Sequence, residues 1–238
     1  MGNAKPNRLI NSLKLPAIFV AILLIIQVFS SAFGLGLGVY GIYPRDLIGF
    51  RGVFLAPLLH SGWPHLISNI PPLFTLSTVT LYFFPRIGKK AIAMMYLLPG
   101  IAVWLFGRSV FHIGASGVVY ALVAFVFWNS IFRRTAKSIA LGLIVLFYYG
   151  SLILGIVPGQ EGISYESHLF GGLVGIFVAY WFKNDTEKDE EKKTYDWEKE
   201  EQLPLDNFLE KDIFDKTKEE RLREKRENND PPQWFSNY

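Results

Sequence analysis

The chain has 238 residues, half of them hydrophobic and 16% aromatic, with no cysteine and a formal net charge of +3. The charge is unevenly spread: residues 1–182 carry 12 basic and only 3 acidic side chains, whereas residues 183–238 carry 12 basic and 18 acidic ones. A body so poor in charge cannot cover itself with a soluble surface, so a membrane domain with a polar tail is expected, and disulfides, thiolate catalysis and Cys-based zinc sites are excluded.

The N-terminal stretch MGNAKPNRLINSLKLPAIFVAILLIIQVF starts basic and turns apolar, as a signal peptide does. Its apolar run is too long for a cleaved segment and lacks a clear small-residue cleavage site, so it reads as a retained first span behind a cytoplasmic segment, residues 1–14. Pro6 stands where a myristoylation motif needs Ser or Thr, which removes that reading of Met1-Gly2. A hydrocarbon core of ~30 Å needs about 20 apolar residues of helix. Six stretches meet that need, near 15–38, 64–84, 88–107, 115–132, 138–157 and 166–182. The second and sixth begin with polar residues, and Pro71 and Pro72 predict a bend or a late start in the second.

Basic residues orient the spans. Lys5, Arg8 and Lys14 precede the first, Arg86, Lys89 and Lys90 follow the second, and Arg133, Arg134 and Lys137 follow the fourth. Positive loops face the cytoplasm, so both termini are expected inside. The opposite side then receives Arg45, Asp46, Arg51, Arg108, Glu161 and Glu166, together with all four histidines, His60, His65, His112 and His168.

Ionisable groups at membrane depth cost about 2.5–3.5 kcal/mol each on insertion scales, so each needs a partner or a task. In LLHSGWPHLISNIPPLF, His65 and Asn69 are four apart and share a helix face, offering two donors towards one point. On that spacing alone a polar pair at a wet helix start is the favoured reading, because His-x-x-x-Asn is common by chance, and the pair gains meaning only beside other groups. In FHIGASGVVYAL, Gly114 and Gly117 allow close backbone approach, and Ser116 between them is either a helix-packing and capping residue or a nucleophile. A nucleophile needs a base and oxyanion donors. The last span, YESHLFGGLVGIFVAY, supplies a candidate base in His168, one turn before Gly171; Gly171 and Gly175 turn that face towards a closely packed neighbour.

Together, His65-x-x-x-Asn69 on the second span, Gly114-Ala115-Ser116-Gly117 opening the fourth and Ser167-His168-x-x-Gly171-x-x-x-Gly175 on the sixth resemble the rhomboid family of intramembrane serine proteases. The resemblance covers roughly residues 15–182. It implies an all-α polytopic membrane protein, a six-helix bundle with both termini cytoplasmic. By family pattern Ser116 is the nucleophile and His168 the general base of a dyad without a carboxylate. His65, Asn69 and the Ser116 backbone N–H serve the oxyanion, and Tyr120 packs against the dyad histidine. Gly114, Gly117, Gly171 and Gly175 support the geometry, and Arg45 lies in the loop shaping the outer rim, although the tryptophan–arginine signature of some members is not found there. No metal or cofactor is implied. Substrates would be single-pass transmembrane helices cut near the outer leaflet of, most simply, a bacterial inner membrane, with the lipid bilayer as surrounding partner and no role for nucleic acid. The rival is a rhomboid-like pseudoprotease that escorts helices without cutting; such proteins usually lack the serine or the histidine, and this chain keeps both. A transporter is disfavoured because the inner halves of the spans are almost wholly apolar.

The tail, 183–238, is charged and poor in aliphatic residues, so a solvated, partly disordered state is expected. Within it, LDNFLEKDIFDKTKEERLREKREN suggests an exposed helix capped by Asp206, whose sparse apolar residues Leu205, Phe208, Leu209, Ile213 and Phe214 could dock a cytoplasmic partner. Asn184-Asp185-Thr186 fits a glycosylation pattern but falls on the cytoplasmic side.

Overall fold

The structure, a computed structural model, describes residues 8–159, 164–185 and 214–229. The chain divides into two units, residues 1–191 and 192–238. In the first unit, helix α1 is Arg8–Ala32, α2 is the short Gly52–Leu55, α3 is Trp63–Phe83, α4 is Gly88–Phe106, α5 is Ser116–Arg133, α6 is Ala136–Tyr149 and α7 is Tyr165–Trp181. Among the described residues there is no β-strand beyond one isolated antiparallel bridge, between Ile42 and His112.

Among the described residues, five helical segments are long and apolar enough to cross a bilayer: α1, α3, α4, α5, and α6 with its 3₁₀ continuation to Ile156. The sixth apolar helix, α7, has 17 residues, at the short end of what a ~30 Å core needs. Helix α1 runs from Arg8 to Ala32 rather than 15–38. It stops early because Gly34 adopts φ +60°, and the Leu35 N–H turns back to the Ser30 carbonyl at 2.9 Å. This is a glycine C-terminal stop that leaves the following glycines outside the helix. At the other end Lys14 and Arg8 lie within the helix, which passes through Pro16. Helix α3 starts at Trp63 with Pro64 in its first turn, and continues through Pro71 and Pro72. The late start suggested by that proline pair is therefore not observed.

Helix α5 is the hub. It packs on α3, α4, α6 and α7, while α1 leans on α3. Glycines on α7 let that helix come close to the α5 backbone: a Cβ added at Gly171 would strike the Gly117 carbonyl, and one at Gly175 would strike the Ala121 carbonyl. Around this contact Leu66, Leu76, Met95, Leu122, Phe125 and Val178 are fully buried. The outward faces carry apolar side chains instead, with Ile25 56% and Phe147 83% exposed. That inversion places lipid, not water, around the helices.

Away from the histidine-bearing ends, two residues link α5 to α6. Arg134 takes a left-handed conformation, φ +54°, and Thr135 caps α6 reciprocally with Ser138. Arg133 reaches from α5 to the carbonyls ending α7, Phe182 at 3.2 Å and Asp185 at 2.8 Å.

In the second unit, α8 is Lys218–Asn229. Thr217 and Glu220 cap it, with the Thr217 hydroxyl 2.9 Å from the Glu220 carboxylate. Asp206, Leu205, Phe208, Leu209 and Ile213 lie outside the described residues, as do Glu161 and Thr186.

Candidate active site

Ser116 is the first residue of α5. Its backbone N–H belongs to the opening turn, whose donors have no acceptor within the helix, and the helix dipole favours negative charge there. The turn before it depends on Gly114, at φ +113°. A side chain there would also run into the His65 ring, with Cε1 2.7 Å and Nε2 2.8 Å from an added Cβ. Gly114 therefore answers two demands at once, a backbone angle and a ring in van der Waals contact.

His65 and Asn69 stand one turn apart on α3. The Asn69 amide donates to the His65 carbonyl at 2.7 Å, which occupies one of its two hydrogens and leaves the other. His65 Nδ1 is 3.1 Å from the Ser61 hydroxyl. Its ring meets His60 edge to face, centroids 5.0 Å apart.

His168, on the first turns of α7, is buried. Its ring stacks on Tyr120 at 4.1 Å between centroids and 7° between planes. Tyr120 lies one turn after Ser116 on α5, so the stack brings the His168 ring to the serine's helix and to the turn next to it. His168 Nδ1 is 2.8 Å from the Gly155 carbonyl. A carbonyl only accepts, so Nδ1 carries the ring hydrogen and Nε2 keeps its lone pair in the neutral imidazole. Among the described residues no hydrogen bond joins Ser116 to His168.

Several contributors lie outside the three sequence motifs. The 3₁₀ segment Gly150–Ile156 supplies both the Gly155 carbonyl and the Leu152 carbonyl, to which the Tyr120 hydroxyl donates at 2.6 Å. Gly155 must be glycine, since a Cβ there would collide with the Tyr120 hydroxyl. His60 Nε2 accepts the Ala115 N–H at 3.3 Å, holding the turn that leads into Ser116. Burial in this connection, which is outside the spanning helices, and the nearby His65 push His60 down from 6.5 to about 4, so it stays neutral and able to accept. Arg45, at φ +61°, bonds the Gly107 carbonyl at 2.8 Å and the Ser109 hydroxyl at 3.0 Å, tying the first loop to the segment before α5. Among the described residues no group of three or more acidic, His or Cys side chains is arranged to hold a metal ion.

A bundle of apolar helices with lipid-facing aliphatic surfaces defines an integral, multi-pass membrane protein. The rhomboid domain profile matches residues 48–184, and the chain belongs to the rhomboid family. It is 38% identical over 172 residues to uncharacterized proteins of Mycobacterium tuberculosis and Mycobacterium bovis, covering 68% of this chain and 71% of each relative. An uncharacterized protein of Mycobacterium leprae is 36% identical over 138 residues, 54% of this chain and 55% of its own length.

Proposed function

We propose that this rhomboid protein is an intramembrane serine endopeptidase, with Ser116 as nucleophile and His168 as general base. The observation that carries the reading is the state of His168. Nδ1–H is committed to the Gly155 carbonyl and the ring is fixed on Tyr120, so Nε2 remains as the basic nitrogen beside the turn that presents Ser116. A dyad without a carboxylate needs its tautomer set by something else, and a backbone carbonyl does this.

In the reaction Ser116 Oγ attacks the scissile carbonyl while its proton passes to His168 Nε2. The Ser116 backbone N–H, the remaining Asn69 amide hydrogen and His65 stabilise the oxyanion, each such donor being commonly worth about 10²–10³ in rate. His168 returns the proton to the leaving amine, and water then releases the acyl-enzyme. Counting α7 with the five longer segments makes six spans. The distribution of basic residues supports an arrangement with both termini in the cytoplasm and the site towards the outer leaflet. Substrates are single-pass helices that unwind locally, since a stable helix hides its carbonyls. A bacterial inner membrane suits the mycobacterial relatives.

A fluorophosphonate probe tests the assignment. The wild type should label and Ser116→Ala should not; undiminished labelling of Ser116→Ala overturns the nucleophile assignment.

A further inference from the structure

Both residues assigned to the chemistry are preceded, four positions earlier, by a polar side chain: His112 before Ser116 and Ser164 before His168. These two earlier side chains are bonded to each other, His112 Nδ1 lying 2.6 Å from Ser164 Oγ. The direction of the bond is set at its far end. His112 Nε2 is 3.0 Å from the Arg108 carbonyl, so Nε2 carries the hydrogen and Nδ1 accepts from the Ser164 hydroxyl. Ser164 Oγ in turn caps α7 by accepting the Ser167 N–H at 3.3 Å, with the Ser167 hydroxyl 2.8 Å away. His112 is only 2% exposed, so water does not compete for the bond. Its backbone is simultaneously paired with Ile42 in both directions at 2.9 Å.

An ion pair lies alongside. Arg108 Nε is 2.8 Å from Glu166 Oε1, and the guanidinium sits over the Tyr165 ring. Glu166 is 5% exposed and stands in the first turn of α7, where the dipole favours a carboxylate.

The need for such a link follows from the α5–α7 contact. Glycine against backbone sets how near two helices lie, but it presents few side chains to stop one sliding along the other. A misplacement of 1 Å in a reacting pair costs about 100-fold. Building on the dyad reading above, we propose that His112 and Ser164, flanked by the Arg108–Glu166 pair, are positioning residues that set the register of α5 against α7 and so the reach from Ser116 Oγ to His168 Nε2.

The test is a double-mutant cycle on the full chain in proteoliposomes. It reads the fluorophosphonate labelling rate of Ser116, kcat and KM for a transmembrane reporter, and the thermal midpoint. His112→Phe and Ser164→Ala should each lower labelling rate and kcat about 10- to 100-fold with KM little changed. The double variant should be no slower than the slower single, because both act through one bond. Ser164→Thr keeps the hydroxyl and should recover most of the rate, a comparison that stands even if His112→Phe does not fold. Multiplicative losses in the double variant overturn the proposal, as does a lower thermal midpoint with unchanged rates, or a Ser164→Thr variant as slow as Ser164→Ala. A wild type that does not label Ser116 overturns the protease reading itself, whereas a labelling wild type with multiplicative losses overturns only the positioning role.

Discussion

Hydrogen-bond direction explains the site residue by residue. Each carbonyl acceptor dictates a tautomer, at His168 through Gly155 and at His112 through Arg108. Asn69 has one amide hydrogen on the His65 carbonyl, which leaves a single hydrogen for the oxyanion role proposed above. Asn69→Ala is expected to lower kcat for a transmembrane reporter by no more than about 10², and His168→Ala is expected to abolish its cleavage with the fold intact. A different measurement isolates His60. Its folded-state value is depressed from 6.5 to about 4, so the unfolded chain binds the extra proton between these values. The stability it contributes is complete above about pH 6.5 and is lost as pH falls towards about 4. His60→Gln retains an acceptor for the Ala115 N–H but does not titrate. Thermal midpoints recorded against pH should therefore show a shallower acid decline in that variant than in the wild type.

Among the helices, the decisive contact is that of α5 with α7. An added Cβ at Gly175 would meet the Ala121 carbonyl and lie 2.7 Å from Ala124 Cβ, leaving no room for a side chain without moving one helix. Gly175→Val should destabilise the bundle by about 1–3 kcal/mol, as overpacking does, and should slow labelling of Ser116; unfolding in detergent together with probe kinetics reads both. Arg133 closes the far end of the same helix pair. Besides the α7 carbonyls it bonds Asn129 Oδ1 at 3.1 Å and lies 5.1 Å over the Phe84 ring, so one guanidinium joins α3, α5 and α7. The 3₁₀ segment after α6 holds both aromatic rings of the Tyr120–His168 stack, through the Leu152 and Gly155 carbonyls.

For the molecule as a whole, topology is the property most directly open to measurement. The chain has no cysteine, so single introduced cysteines report without background. For the proposed arrangement of six spans with both termini inside, Lys14→Cys and Arg134→Cys should react with a membrane-impermeant maleimide only in inverted vesicles. Leu47→Cys, at a position 87% exposed in the first loop, should react only from the outside of intact cells. Reaction of Leu47→Cys and Arg134→Cys from the same side overturns the arrangement.

The amino-acid sequence by itself determined the lipid environment, the near limits of most helices and the order of the histidine, serine and glycine motifs. Those properties are written in runs of apolar residues and in charge placed at their ends, which are local and additive. It did not determine where α1 stops, because the 15–38 run stays apolar through Gly34 and only the left-handed turn at that glycine ends the helix. Tertiary structure alone decided which acceptors hold His168, Tyr120 and Ala115. The carbonyls of Gly155 and Leu152 are common to every residue type and leave no mark in composition or spacing. The His112–Ser164 bond joins loops 52 residues apart in sequence, and neither residue shows a partner until α5 and α7 are packed glycine to backbone.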